Sequence, residues 1–195
     1  MKSLEEIKEE VKEVLSEERY EHSLGVMEKA VELAKEYGED EQKAALVGIT
    51  HDIAKEMSFE ESLQYIEDNN IEISTYDKEV PATLHGIIAA DMTSKRYGFT
   101  KEMQDAIKYH TTARENMTLL DKILYVADKT EPRTRNYSKL EEYNNVIREK
   151  GLDKAVLFGI EQHTIQNAIN KRKLLHINSI LARNDIIRRT KDKTL

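Results

Sequence analysis

A chain of 195 residues with a formal net charge of −7, 39% hydrophobic and 34% charged, has room for one sizeable core, and no uncharged run in it approaches the ~18 residues that span a bilayer. The acid excess argues against a general nucleic-acid coat, which depends on a basic surface. Zero cysteines exclude a disulfide framework or thiolate metal site, and the acidic, amphipathic start MKSLEEIKEEVKEVL lacks a secretory apolar region, so the expectation is a cytoplasmic protein with neither membrane nor nucleic acid as partner.

Only seven glycines and two prolines punctuate the sequence, and between them apolar residues recur at three- and four-residue spacing. That periodicity predicts an all-α fold, a single irregular helical bundle, with helices at about 3–16, 19–37, 40–55, 59–69, 82–97, 100–111, 117–130, 138–149, 152–170 and 173–189. Gly38, Gly98 and Gly151 fall where helix C-caps are expected, and Pro132 ends the helix carrying Asp128. One domain over 1–195 is expected, its core at about 19–130 and its last helices, about 138–190, packed on it. The first eighteen residues are acidic, whereas 171–195 hold eight Lys or Arg against two Asp. Solvated helix faces explain both ends, with substrate steering or weak oligomer contacts as the alternative. A homodimer is compatible with the sequence, which marks no distinct interface.

In chain order, His22 shares a helix face with Val26, Ala30 and Leu33. In GITHDIAK, His51 and Asp52 are the only ionisable groups between Ala44 and Ala54, the most apolar run of the chain. His85 aligns with Ile88, Ala89 and Met92; His110 closes the line Met103, Ala106, Ile107; and Asp128 follows Leu120 and Leu124 at four-residue steps. Any one such histidine is more often a hydrogen-bonded core residue. Four of them with two inward carboxylates, and no Lys or Arg on the same apolar lines, call for a cation. Imidazole with carboxylate suits iron, manganese, cobalt or zinc better than Ca²⁺ or Mg²⁺. Six ligands exceed one tetrahedral ion and suit two divalent metals bridged by a carboxylate, a site left with a charge of about +2 that attracts phosphate.

The ordered set His22, His51–Asp52, His85, His110, Asp128 resembles the HD-domain metal-dependent phosphohydrolase superfamily in its six-ligand, two-metal form. More narrowly, RYEHSLGVMEKAVELA, GITHDIAK, LHGIIAADM, IKYHTTARENMTLLDKILYVADKTEP and NAINKRKLLHINSILARN, spread from Arg19 to Asn184, are similar to the YqeK-type family of bacterial hydrolases that split bis(5'-nucleosyl) tetraphosphates symmetrically. The resemblance implies that His22, His51, Asp52 and Asp128 hold one metal, that Asp52 bridges to a second held by His85 and His110, and that iron stands first among the candidate ions. It implies catalysis by His51, Asp52 and Lys55, with water activated between the metals, on a dinucleoside tetraphosphate such as diadenosine tetraphosphate, giving ADP or GDP. Lys55, Thr111, Arg114 and Arg133 are the expected substrate contacts, Lys129 lies beside them in sequence, and the resemblance favours Lys55 and Arg114 most. Two departures, Ala113 where the family usually has glycine and the stretch TRNYSKL after Glu131–Pro132, leave contacts to base and ribose unassigned. His163 and His176 fall outside the ligand pattern and are read as packing or surface residues. Nucleoside monophosphates, guanosine alarmones and cyclic dinucleotides are alternative substrates for the same site, and a non-catalytic nucleotide-sensing module is the rival from another class.

Overall fold

Most helix starts are marked by a side chain that accepts a hydrogen bond from an otherwise unpaired N–H of the first turn. Ser3, Ser16, Asp40, Ser58, Ser74, Thr100 and Thr118 do this for α1 (Leu4–Val14), α2 (Glu17–Tyr37), α3 (Glu41–Thr50), α4 (Phe59–Asp68), α5 (Thr75–Glu79), α7 (Lys101–Tyr109) and α8 (Leu119–Thr130). α6 (Leu84–Tyr97) follows a short 3₁₀ turn, Pro81–Thr83. The chain closes with α9 (Tyr137–Lys150), α10 (Leu152–Phe158), a π-helical stretch Gly159–Ile165, α11 (Gln166–Asn170) and α12 (Ile177–Lys191). The structure, a computed structural model, describes residues 2–135 and 137–191; Met1, Asn136 and residues 192–195, the end of the basic segment, lie outside it. Among the described residues there is no strand, in keeping with the all-α expectation, and no helix is long and apolar enough to cross a membrane.

The core is built around α2, α3 and α8, with α7 packed on α8 and α6 packed on α7. The α2–α3 crossing is close because Gly48 faces α2, where a Cβ would stand 2.6 Å from Met27 Cα. Ile7 and Val11 dock α1 and are fully buried, each contributing about 1.5–3 kcal/mol. α10 packs on α8, and α12 rests on the π-helical stretch. Gly38 and Gly98 take φ of +79° and +68° and end α2 and α6 in the left-handed conformation glycine adopts freely.

Several boundaries differ from the periodic pattern. The helix expected over 40–55 stops at Thr50, with His51 as its C-cap and Asp52 in the turn that follows. Likewise the 100–111 helix stops at Tyr109, with His110 as its cap. Apolar spacing continues past both ends, which is why periodicity overran them. The 152–170 helix carries a π-helical interruption that begins at Gly159, where the missing Cβ allows a close approach of Tyr125 and Tyr143 from α8 and α9. The last helix begins at Ile177, not 173, and α5 was not expected at all.

Candidate metal centre

The ends of α3 and α7, the second turn of α2, the start of α6 and the last turn of α8 converge on one buried spot. His22, His51, Asp52, His85 and His110 are all buried there, and the Asp128 side chain is 16% exposed at its edge.

Hydrogen bonds fix how the rings present themselves. His51 Nδ1 lies 2.8 Å from Gly48 O, and His110 Nδ1 lies 2.7 Å from Ile107 O. A carbonyl only accepts, so both Nδ1 atoms carry the proton and both Nε2 atoms face the centre with a lone pair. Burial holds the pKa of His51 down to about 3 and that of His85 down to about 4, so both are neutral near pH 7. His22 is held from behind by Glu131, whose Oε1 is 3.1 Å from Nδ1, and this carboxylate with Asp128 outweighs burial and raises the His22 pKa. Glu131 also accepts from the N–H groups of Arg133 and Thr134, and Gly25 leaves it room, since a Cβ there would overlap Oε2.

Asp52 divides its carboxylate between two groups of imidazoles. Oδ1 is 3.1 Å from His85 Nε2 and 3.5 Å from His110 Nε2; Oδ2 is 3.5 Å from His51 Nε2 and 3.9 Å from His22 Nε2. Burial by itself raises the Asp52 pKa, but His51, His110 and His85 outweigh it and take the carboxyl well below its ordinary value. Two ligand groups result, His22–His51–Asp52 and Asp52–His85–His110, each with its ligand atoms within 4.8 Å of one another. Asp128 Oδ1 adjoins the first group, 3.1 Å from His22 Nε2 and 4.0 Å from His51 Nε2.

These residues fit divalent cations. His22 Nε2, His51 Nε2 and Asp52 Oδ1 are buried without a hydrogen-bond partner, a costly arrangement unless something else binds them. Lys55 Nζ sits 3.2 Å from His85 Nε2, and an ammonium only donates, so His85 and His110 turn two lone pairs toward each other at 3.1 Å. A cation shared with Asp52 relieves that opposition.

Above the cluster opens a cavity of about 320 Å³ lined by Arg19, Lys55, Thr111, Lys129 and Arg135, with His163 and Thr164 on the far wall. Arg19 Nη1 donates to Asp52 Oδ2 at 3.0 Å, and Thr111 Oγ1 is 3.2 Å from His110 Nε2. Arg135 grips Asp128 at its carbonyl and at Oδ1, 2.9 Å away. Lys129 lies over the Tyr125 ring, 3.6 Å from its centroid. Of the four expected substrate contacts, Lys55 and Thr111 line this cavity and Arg114 and Arg133 do not. Arg114 is held by Asp121 at 2.8 Å and by Asp105, while Arg133 pairs with Glu21 and Glu28; neither lines this cavity. Sequence reasoning passed over Arg135 and Glu131. Its one available signal for Glu131 was an acid directly before a helix-ending proline.

The HD domain family model matches residues 19–133, the span that carries all six side chains. The chain is 38% identical to a symmetrical bis(5'-nucleosyl)-tetraphosphatase of Bacillus subtilis over 77% of this chain and 80% of that one. A Staphylococcus aureus protein of the same name is 34% identical over 87% of each chain. Among solved structures, a Clostridium acetobutylicum protein described as a predicted HD superfamily hydrolase involved in NAD metabolism superposes with a TM-score of 0.90 at 38% identity, covering 97% of this chain and 99% of its own. Fold, cluster and relatives agree: the chain belongs to the HD-domain family, in the group of the symmetrical bis(5'-nucleosyl)-tetraphosphatases.

Proposed function

We propose that this chain hydrolyses dinucleoside tetraphosphates, diadenosine tetraphosphate among them, to two nucleoside diphosphates, at a centre holding two divalent ions with iron as the first candidate. The observation that carries the reading is the division of the Asp52 oxygens between two pairs of imidazoles. His22, His51, Asp52 and Asp128 would hold one ion and Asp52, His85 and His110 the other. Bound there, divalent ions supply Lewis acidity toward phosphate oxygens and make water acidic enough to be a nucleophile near neutral pH.

The chain's own part is positioning and charge. Arg19 holds Asp52 between the two groups of imidazoles, Glu131 fixes the His22 ring, and Lys55, Lys129 and Arg135 would face the phosphates from the walls of the open cavity above them. Water oxygen bonds to one of the two central phosphorus atoms while the central P–O–P bridge breaks, so each half departs as a nucleoside diphosphate. The departing phosphate oxygen is acidic enough that no side chain need protonate it. The cysteine-free sequence is compatible with a reducing cytoplasm.

Product analysis tests the reading: metal-replete protein, prepared without oxygen, converts diadenosine tetraphosphate to ADP alone, and Asp52→Ala abolishes this. ATP with AMP, or no turnover with iron, manganese or cobalt, contradicts it.

A further inference from the structure

The cavity over the metal centre adjoins another. Thr111, His163 and Thr164 line both it and a second cavity of about 260 Å³. The wall of this second space comes from the 3₁₀ turn, from α11 and from the 171–176 loop. It is largely apolar, with Val80, Ala82, Ala168, Leu174 and Leu175, and has Lys171 and Lys173 exposed at its rim. Leu174 is 63% exposed at its mouth.

The residues shared by the two spaces are held in place by their neighbours. Thr111 Oγ1 stands 3.2 Å from His110 Nε2, so it opens directly on the metal-binding atoms. His163 and Thr164 belong to the π-helical stretch, a register that recurs at functional sites. The His163 ring is stacked on Tyr143 with centroids 5.5 Å apart, and Thr164 Oγ1 lies 3.5 Å from Tyr125 Oη. Behind them, Ser179 Oγ donates to Thr112 O at 2.8 Å and His176 pairs with Asp77 at 3.0 Å, tying the start of α12 to the turn after α7 and to α5.

A substrate cut at its centre has the same arm on either side of the scissile bridge: one further phosphate, then a nucleoside. Outward from the metal centre, the chain presents hydroxyls and an imidazole, then two rim cations, then an apolar recess. We infer that this second cavity takes one nucleoside of the dinucleoside tetraphosphate, its adjoining phosphate passing between Thr111, His163 and Thr164 with Lys171 and Lys173 neutralising it from the rim. This inference rests on the proposed reaction and adds to it the place of the base.

Two substitutions at exposed positions test it by calorimetric titration of metal-replete protein with ADP and, separately, with inorganic pyrophosphate. Leu174→Asp puts a charge at the apolar mouth, and Ala82→Trp fills the recess from its surface side. Each weakens ADP by about tenfold or more while pyrophosphate changes by less than about twofold. Equal loss of both ligands means that the phosphate site or the fold was damaged, and unchanged ADP affinity places the nucleoside elsewhere; either result overturns the inference. A wild type that shows this ADP discrimination yet releases no ADP from diadenosine tetraphosphate overturns the proposed reaction and leaves the nucleoside cavity standing.

Discussion

Nδ1 of His22 lies 3.1 Å from Oε1 of Glu131, a carboxylate with no exposed surface, and this contact turns Nε2 toward Asp52 and Asp128. Such a carboxylate behind a ligating imidazole fixes its tautomer and raises its basicity. Glu131→Gln keeps the shape but offers one acceptor oxygen where the carboxylate serves His22 with one oxygen and two backbone N–H groups with the other. Metal affinity falls about 10- to 100-fold, read by competition with a chelating dye. Gly25→Ala acts in the same direction, because the added methyl displaces Glu131. Unaltered affinity in both would remove Glu131 from the design of the site.

Arg114 is engaged by Asp121 and Asp105, and its loss is expected to be read in stability. Arg114→Ala leaves Asp121, whose side chain is 1% exposed, without its guanidinium partner, at a cost of about 3 kcal/mol. Burial already holds the Asp121 pKa above its ordinary 3.8 in spite of Arg114, and removing the arginine raises it further. A carboxyl with a raised folded pKa penalises folding as pH rises through that range, so the deficit of the variant is full near pH 7 and is lost as pH falls through the raised folded value toward about 4. Urea unfolding at both pH values checks the sign, and a deficit that grows in acid would contradict it.

Two arginines close together in sequence separate by role. Arg135 lines the metal cavity, whereas Arg133 sits among surface glutamates. Arg135→Ala raises KM for the dinucleoside tetraphosphate by about tenfold, as loss of a charged hydrogen bond to phosphate does. Arg133→Ala leaves KM nearly unchanged, because exposed ion pairs contribute little. Steady-state kinetics on the pair decides, and the reverse ranking would reinstate Arg133 as the substrate contact.

Metal binding should be linked to folding, since a bound cation would engage the unpartnered Oδ1 of Asp52 and relieve the opposed His85 and His110 lone pairs, neither of which Arg19 or Lys55 fully satisfies. Restoring metal to chelated protein at about 100 times its dissociation constant adds about 2.7 kcal/mol, a rise in Tm of about 5–10 °C. A scan showing the same Tm with and without manganese would contradict the linkage.

How much of this was legible follows from which distances matter. His22, His85 and Asp128 lie on regular helices, where four-residue spacing reports direction, and their inward aim could be read directly. His51 and His110 lie at helix ends that apolar spacing does not mark; their direction comes from Nδ1–H bonds to Gly48 and Ile107 carbonyls, which only the folded chain displays. The capping box of Ser74 with Asp77 was present in the sequence, but the five-residue helix behind it has no buried residue to give a period. The ion pairs of Arg114 and Arg133 were not legible because nearness to a ligand in sequence does not reveal a competing acid: Asp121 waits on the next helix, and Glu21 and Glu28 lie on α2, more than a hundred residues earlier. The π-helical stretch that carries His163 and Thr164 starts at Gly159, where Tyr125 and Tyr143 approach closely, a tertiary contact without a local signal.

The central claim, two metal subsites sharing Asp52, is tested most directly by metal stoichiometry. Protein equilibrated anaerobically with excess iron or manganese, freed of unbound ion and analysed by mass spectrometry, retains two ions per chain. His85→Ala retains one, and Asp52→Ala retains neither tightly. A wild type that saturates at one ion, or an Asp52→Ala variant that keeps both, would contradict the shared bridge.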